Sequence, residues 1–384
     1  MLFRDIQGLT AIKNTLINAS KANHVAHAQL FLGNPGSGNL AMAWAYATYL
    51  NCTNKLSFEV NEQNGLLGDA CNQCASCSKM NKNIHPDFYY IFPTATTKKI
   101  KEADSSAYMP VWRDFLLENP YRTLPDWLAF MGVEGNKQGN ISVDEARKVM
   151  QKIGLKAFEG EFKIMIIWLP EQMNAAAANA LLKTLEEPPS KTIFLLASND
   201  ANKLLTTIIS RTQKISIPAF EDEDIATYLS SKQSIDSKRA NEIAYLSEGN
   251  LAKAIALSQN HSNEYQAWFS EWMRNCFKAD LASLIKQADQ FDAFPKENQK
   301  AILEYGLNVF RDLQLWQNGV ESLVRLEGEE LTFIQNFSKA VNPLAIEIVS
   351  DKLSEAHYHL ERNARAKIIH LELSLAIARC IRKN

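Results

Sequence analysis

Residues 26 to 38 constrain this chain more than any other segment. An apolar run rich in Leu and Phe, from Ala26 to Leu32, meets Gly33-Asn34-Pro35-Gly36-Ser37-Gly38, and an Ala-rich stretch follows to about Leu50. The apolar run bounded by glycine reads as a buried strand, and the Ala-rich stretch as a helix. Strand, glycine loop and helix in that order let backbone N–H groups wrap a phosphate. An ordinary strand-to-helix turn is the other reading of glycines at this spacing, and the rest of the chain decides between the two.

A phosphate-binding loop that supports hydrolysis continues with a Lys, which neutralises the β/γ oxygens, and a Ser or Thr, whose hydroxyl holds Mg²⁺. Asn39 and Leu40 stand at those positions. Gly33, Gly36, Gly38 and Asn39 are therefore the candidate cofactor-binding residues of a degenerate loop, with its cradle but without its charge. Lys163 to Leu169 and Thr192 to Ala197 are near-continuous apolar runs, the pattern of parallel strands covered on both faces. The first ends in Trp168-Leu169-Pro170-Glu171, so the two positions where a Walker B motif places acids are apolar. Glu171 is either a displaced carboxylate or a solvated loop acid beyond a proline, and the second is the expectation.

Between those strands, Asn174 can cap a helix through Leu185 that Pro188-Pro189 terminates. Ser142-Val143-Asp144-Glu145 forms a capping box, and Val143, Ala146, Val149, Met150 and Ile153 continue at helical spacing toward Gly160. Strands alternating with helices over residues 1–217 imply a doubly wound α/β domain. After Pro218 the strand pattern disappears. Short helices from Phe220 to about Ser258 and longer amphipathic ones to Asn384 complete a chain that is α/β followed by all-α. Residues 94–140, with Trp112, Trp127, Pro110, Pro120, Pro125, Gly132, Gly135 and Gly139, fit neither pattern and read as an insertion.

Of six cysteines, Cys71, Cys74 and Cys77 cluster, Cys52 precedes them, and Cys276 and Cys380 stand alone. Three thiols around one turn, closed by Cys52, suit a tetrahedral structural zinc. An iron–sulfur cluster is the rival, but its C-x2-C-x2-C run needs a further Cys-Pro three residues on, which is missing. Unliganded buried thiols poorly explain three cysteines among Asn, Gln and Ser. With 46% hydrophobic and 22% charged residues, the 384-residue chain is long enough for two or three cored domains. Its formal charge of -2, from 41 basic and 43 acidic residues, disfavours strong autonomous DNA binding. No window approaches the roughly 18 to 20 apolar residues that span a bilayer, and the N-terminus lacks a basic stretch followed by an apolar core. A cytoplasmic, soluble protein with no membrane partner is expected, and in a reducing compartment the cysteines argue for metal rather than disulfides.

Ser210-Arg211-Thr212 follows a helix starting near Asn202, and an arginine at a helix end is by itself solvated surface. Residues 361–384 carry Arg362, Arg365, Lys367, Arg379, Arg382 and Lys383 against Glu361 and Glu372, read as the exposed face of a helix.

Taken together these segments resemble the delta-prime and gamma/tau clamp-loader family of bacterial DNA polymerase III. The resemblance runs through His27-Ala28-Gln29-Leu30-Phe31-Leu32-Gly33, the four cysteines, His85-Pro86-Asp87 and Ile141-Ser142-Val143-Asp144-Glu145-Ala146-Arg147. It continues through Ala177-Ala178-Asn179-Ala180-Leu181-Leu182-Lys183-Thr184-Leu185-Glu186-Glu187-Pro188-Pro189 and Ser210-Arg211-Thr212. It covers most of residues 1–260, and the helical C-terminus matches in character more than in motif.

The resemblance implies an AAA+ P-loop domain over 1–217, with a zinc module at 52–77 and the insertion at 94–140. A three-helix lid over 218–262 and a helical collar over 263–384 would follow, the collar assembling a pentameric ring with three gamma/tau ATPase subunits and delta. It implies metal ligation by Cys52, Cys71, Cys74 and Cys77. It also makes Arg211 a trans-acting arginine finger, with Thr212 replacing the family's cysteine. Gly249-Asn250-Leu251-Ala252-Lys253-Ala254 resembles the sensor-2 segment, with Ala252 where the ATPase subunits place an arginine; Lys253 points roughly 100° around the helix. The implied role is that of a subunit that hydrolyses no ATP and is no enzyme in isolation. As a component of the polymerase III holoenzyme it would help load the sliding clamp on primed DNA. An active gamma/tau-like ATPase is the rival, disfavoured by Asn39, Leu40, Trp168, Leu169 and Ala252; a plain interaction module is the other.

Overall fold

The computed structural model describes the chain outside residues 60–64, 99, 102, 134–136, 155–156, 260–261, 295, 321–323, 325–327, 340, 363 and 383–384. Gly135 and Lys383 thus lie outside the described residues. The chain divides into two compact units, Met1–Ile255 and Ala256–Asn384.

In the first unit a short 3-10 turn, Phe3–Asp5, leads to α1 (Thr10–Lys21), β1 (Ala28–Leu32) and α2 (Asn39–Leu50). The cysteine region holds β2 (Leu56–Ser57), β3 (Gly68–Asp69) and α3 (Ala75–Asn81). Next come β4 (Phe88–Ile91), α4 (Ser105–Glu118), α5 (Leu124–Phe130) and α6 (Val143–Ile153). β5 (Lys163–Trp168), α7 (Ala175–Glu186), β6 (Thr192–Ser198), α8 (Thr206–Ile209) and β7 (Gln213–Ser216) complete the α/β part, α9 (Asp222–Gln233) and α10 (Ser237–Ser247) follow, and α11 (Leu251–Gln259) begins in this unit and ends in the next.

Five parallel strands form one sheet in the order β4-β5-β6-β1-β7. The three apolar runs of the sequence are its three central strands. Alternate residues Leu30, Met165, Ile167, Phe194 and Leu196 pack with Leu181, Leu185 and Ile208 on one face. On the other face Phe31 meets Tyr46 of the fully buried α2, ring centroids 6.4 Å apart. Cover on both faces is why these strands read as continuous apolar runs. The register aligns Leu32 with Ser198 and Trp168 with Ala197, so the carboxyl ends of β1, β6 and β5 lie side by side with β6 in the middle.

Several expected boundaries shift. β1 begins at Ala28 rather than Ala26, and α6 stops at Ile153, well short of Gly160. The helix expected near Asn202 is a 3-10 turn, Ala201–Lys203, followed by the four-residue α8. The insertion is not irregular: α4 is capped by Asp104, whose Oδ1 accepts from Ala107 N at 2.8 Å, and α5 starts from a Thr123–Asp126 capping box.

The second unit is helical, with α12 (Ser262–Lys278), α13 (Leu281–Ala293), α14 (Lys296–Gln317), α15 (Gly328–Ser338), α16 (Pro343–Glu361) and α17 (Ala366–Arg382), and no strand among the described residues. Trp272, Phe291, Phe310, Leu353 and Ile377 belong to its core. His370 stacks on Trp272 at 4.6 Å, and burial pushes its imidazole down to about 3, so it is neutral. The C-terminal basic residues do not share one helix face: Arg362 and Arg365 precede α17, Lys367 pairs with Asp289, and Arg379 is exposed near the helix end. No helix among the described residues is long and apolar enough to cross a membrane.

Candidate functional site

The glycine loop sits at the carboxyl end of β1 and enters α2 through Gly38. Its backbone path needs glycine at two places. A Cβ at Gly33 would lie 2.7 Å from the Ile217 carbonyl, and Gly36 has φ +76° with Asn250 Oδ1 in the space a Cβ would take. At the position where a lysine would reach outward, Asn39 is buried and turned inward. Its Nδ2 donates to Ser198 O at 3.0 Å and Asn199 Oδ1 at 2.9 Å, and its Oδ1 accepts from Leu40 N at 2.7 Å. Leu40 is likewise buried.

The turn from α10 into α11 closes over the loop. Leu251 N donates to Gly36 O at 3.1 Å, while Asn250 Oδ1 accepts from Lys253 N at 2.9 Å, capping α11 as it lies against Gly36. Phe220 and Leu9 approach Gly38. The chain's own side chains and backbone thus pack against the loop at Gly36 and Gly38.

At the end of β5, Trp168 is buried in an aromatic cluster supplied largely by the insertion. Its ring centroid lies 5.1 Å from Trp112 and 6.0 Å from Phe115, and Trp112 in turn meets Trp127 at 5.0 Å and stacks on Phe92 at 4.2 Å. Trp127 Nε1 donates to Pro93 O at 2.7 Å. The insertion thus supplies most of the rings around Trp168 at the end of β5. Its paired tryptophans, Trp112 and Trp127, are the sequence signal that could have linked it to Trp168. Leu169, beside it, is buried with φ +55°.

Glu171 corrects an expectation. It is not a solvated loop acid: it is half-buried and accepts from Ser198 Oγ and Asn199 N, both at 2.8 Å. Burial pushes its carboxyl above the ordinary range. Because β6 separates β1 from β5, Asn199 joins the two sides, taking Asn39 on its side chain and giving its N–H to Glu171. Separated by 132 positions in sequence, Asn39 and Glu171 meet through one residue that nothing in the local pattern marks.

The four expected metal ligands converge. The Sγ atoms of Cys52, Cys71, Cys74 and Cys77 all lie within 4.8 Å of one another. A tetrahedron with bonds of about 2.3 Å has edges of about 3.8 Å, so the cluster fits a four-thiolate metal after slight contraction. Backbone N–H groups donate to sulfur, Cys71 N to Cys52, Cys74 N to Cys71 and Cys77 N to Cys74, at 3.3 to 3.4 Å. Burial pushes the Cys52 and Cys77 thiols up. Burial acts the same way on Cys74, but hydrogen bonds from Thr53 and the Cys77 N–H outweigh it and hold this thiol at about 6. Asp69 ties the module to the rest of the unit. Its buried carboxylate accepts from Phe3 N and Arg4 N, both at 3.1 Å, and Phe3 packs on Tyr49 of α2 at 5.7 Å.

Arg211 follows α8 and folds back onto α7. Its Nε donates to Glu186 Oε1 at 2.6 Å, its Nη2 pairs with the same oxygen, and its Nη1 donates to Thr207 O at 2.9 Å. Arg211 lies in the first unit and is not brought together with the glycine loop or the cysteines by any hydrogen bond or ion pair described for it. Ala252 and Lys253 lie in the first turn of α11.

Compared with known proteins, residues 8–221 match the family model described as DNA polymerase III, delta subunit. The chain belongs to this family. It is similar to the DNA polymerase III subunit gamma of Buchnera aphidicola, 27% identical over 68% of this chain and 59% of that protein. It is similar also to the delta' subunit of Yersinia pestis, 23% identical over 88% of this chain and 85% of that protein. Among solved structures, a DNA polymerase III gamma subunit-related protein from Thermotoga maritima shares 13% identity over 96% of this chain and 99% of that one, with a TM-score of 0.39. The chain thus spans less than two thirds of that gamma relative's length, and curated relatives carry both delta' and gamma or tau names.

Two motif residues inside the family match hold the sheet's surroundings in place. Asp87 accepts from Phe158, Glu159 and Gly160 N at 2.6 to 2.8 Å, and although burial pushes its carboxyl up, these bonds hold it below the usual range. They shape the loop that follows α6. Glu145 corrects the expected capping box in part. Ser142 Oγ does accept from Glu145 N at 3.2 Å, but the Glu145 carboxyl turns away to accept from Ser105 N at 2.9 Å and from Ser105 Oγ, capping α4 instead. Beside it lies a cavity of about 60 Å³ lined by Tyr89, Asp104, Ser106, Met109 and Lys148.

Proposed function

We propose that this chain is a delta-prime-like subunit of the clamp loader, an AAA+-type chain that hydrolyses no ATP and helps load the sliding clamp on primed DNA. The inward-turned Asn39 carries this reading, because a buried amide bonded to Ser198 O and Asn199 Oδ1 leaves no cation for the β/γ phosphates. Trp168 and Leu169 stand in place of the acids, and Asn250 and Leu251 pack against Gly36 of the loop. Its partners on this reading are gamma/tau ATPase subunits and delta, met in the cytoplasm. Residues 1–217 form the P-loop domain, 218–262 the lid and 263–384 the collar, whose surface carries Phe277, Leu281 and Ile285 exposed. The four cysteines hold a structural zinc, which closes its coordination on protein and offers no open position for chemistry. Arg211 works as the finger toward a neighbour's ATP, where a guanidinium stabilises charge developing on the transferred phosphoryl group.

The test is reconstitution with gamma/tau-type subunits and delta. The isolated chain is expected to bind no nucleotide tightly and to turn over none, while the complex hydrolyses ATP. Arg211→Ala in the complex is expected to leave assembly intact and lower DNA-stimulated hydrolysis, by up to roughly 10³-fold or more at the one affected site. Turnover by the isolated chain that vanishes on mutating Gly38 would establish the gamma/tau-like reading instead. Wild-type clamp loading by the Arg211→Ala complex would leave only an interaction module.

A further inference from the structure

Glu186 and Glu187 stand where a helix least favours them. Glu186 is the last residue of α7 and Glu187 its C-cap, ahead of Pro188-Pro189, and carboxylates at a helix C-terminus oppose the macrodipole. A sequence that breaks a local rule on a well-anchored element points to a functional constraint. α7 is well anchored at this end: Leu185 is fully buried, and its carbonyl meets His27 Nε2 at 3.0 Å.

The constraint is visible in what Glu186 grips. A guanidinium carries five N–H groups in a rigid planar fork. Glu186 Oε1 takes the side edge, Nε and Nη2 together, while Thr207 O accepts from Nη1. Ser210 Oγ is a second, longer acceptor for Nη1, at 3.4 Å. On the end-on edge the second Nη2 N–H meets no described acceptor and Nη1 is held there at most by the long Ser210 contact, while about a third of the side chain (32%) is open to solvent. Such an edge suits two oxygens of a phosphoryl group.

We propose that Glu186 is a positioning residue: it holds Arg211 by its side edge so that the end-on fork faces outward for an oxyanion, the terminal phosphate of a nucleotide bound by a neighbouring subunit. This rests on Arg211 acting in trans. Three anchored contacts remove the rotamer freedom of a long side chain before the neighbour arrives, and the ordering entropy is then not lost at the moment of catalysis.

The experiment uses the full chain in a complex with gamma/tau-type ATPase subunits and delta, measuring kcat and KM for ATP in the presence of primed DNA and clamp. Arg211→Ala, Glu186→Ala, Glu186→Gln and the Glu186→Ala/Arg211→Ala pair are compared. Glu186→Ala is expected to lower kcat at the affected site by roughly ten- to a hundredfold with KM unchanged, the scale of a small misplacement of a catalytic group. Glu186→Gln, which still offers an acceptor oxygen, should recover part of it. The double variant should be no slower than Arg211→Ala alone, because both act through one group. In the isolated chain, the ¹⁵N-detected Arg211 Nε–H should be protected from solvent exchange and lose that protection in Glu186→Ala, a readout that general loss of stability would not single out. If Arg211→Ala slows the complex but Glu186→Ala does not, the positioning role is wrong and the finger stands. A Glu186→Ala complex faster than wild type overturns it too, making Glu186 a brake. If Arg211→Ala itself has no effect, the finger reading fails and this inference with it.

Discussion

The glycine loop and the cysteine module share one compact unit, and they treat buried polar groups in opposite ways. At the loop and the end of β5, packing fills the positions: Leu40, Trp168 and Leu169 are buried apolar groups, and Asn39 bonds its amide to the chain itself. At the module, four thiols remain within 4.8 Å of one another, with backbone N–H groups already aimed at sulfur. Buried charges persist only where a partner balances their desolvation. A metal supplies that partner to thiolates. An acid at Trp168 would have none inside its aromatic surroundings.

The largest effect should come from breaking the module. Removing the metal by chelation, or replacing Cys74 with Ser, should cost folding free energy on the order of 10 kcal/mol in the region of residues 52–82, as in structural zinc sites. Limited proteolysis should cut there first, and elemental analysis of the intact chain should give one zinc per chain; finding none, or iron instead, would sink the assignment.

Placing an acid at the end of β5 comes next. Trp168→Asp removes a large buried ring and leaves a carboxylate among Trp112, Phe115 and Trp127. It should destabilise the first unit by about 3–5 kcal/mol, read as a fall in denaturation midpoint, with no gain in ATP turnover. A stable variant would mean that the aromatic cluster does not keep the position closed.

Asn39→Lys with Leu40→Thr sharpens the contrast further. The lysine has to abandon the Ser198 and Asn199 partners, costing about 1–3 kcal/mol, and Asn250 still crowds Gly36. Calorimetric titration with Mg-ADP should show weak binding that improves when Asn250→Ala is added, with no steady-state hydrolysis. Substantial turnover would instead make Glu171 the displaced acid.

A pH dependence at Glu145 completes the comparison. Burial pushes its carboxyl from an ordinary 4.5 up to about 8, Asp104 adding in the same sense, while the Ser105 N–H and then Lys148 oppose. The folded value lies above the unfolded one, so this group's contribution is complete below about pH 4.5 and is lost as pH rises toward 8. Glu145→Gln stays neutral and can still accept from Ser105. Its thermal midpoint relative to wild type should therefore climb between pH 5 and 8; a flat difference would show that Glu145 is ionised throughout.

Much of this was legible in sequence because it is local. Continuous apolar runs announced β1, β5 and β6, since strands covered on both faces have no polar side to alternate. Asn174 caps α7 as its position before the Ala run implies, Ala177 N donating to Oδ1 at 2.8 Å, and the cysteine spacing picked out four thiols that converge. Short polar edges hid β7, where Gln213, Lys214 and Ser216 are exposed. What only the tertiary structure decided are pairings between distant segments: β6 settling between β1 and β5, Asn39 turning to Asn199, Trp168 meeting the tryptophans of the insertion, Glu145 leaving its own helix for Ser105, and Arg211 lying on Glu186. Helix and strand periods record which face of a segment is buried. A hydrogen bond or ring contact between residues tens of positions apart has no period, and it exists only once the sheet order has brought those ends together.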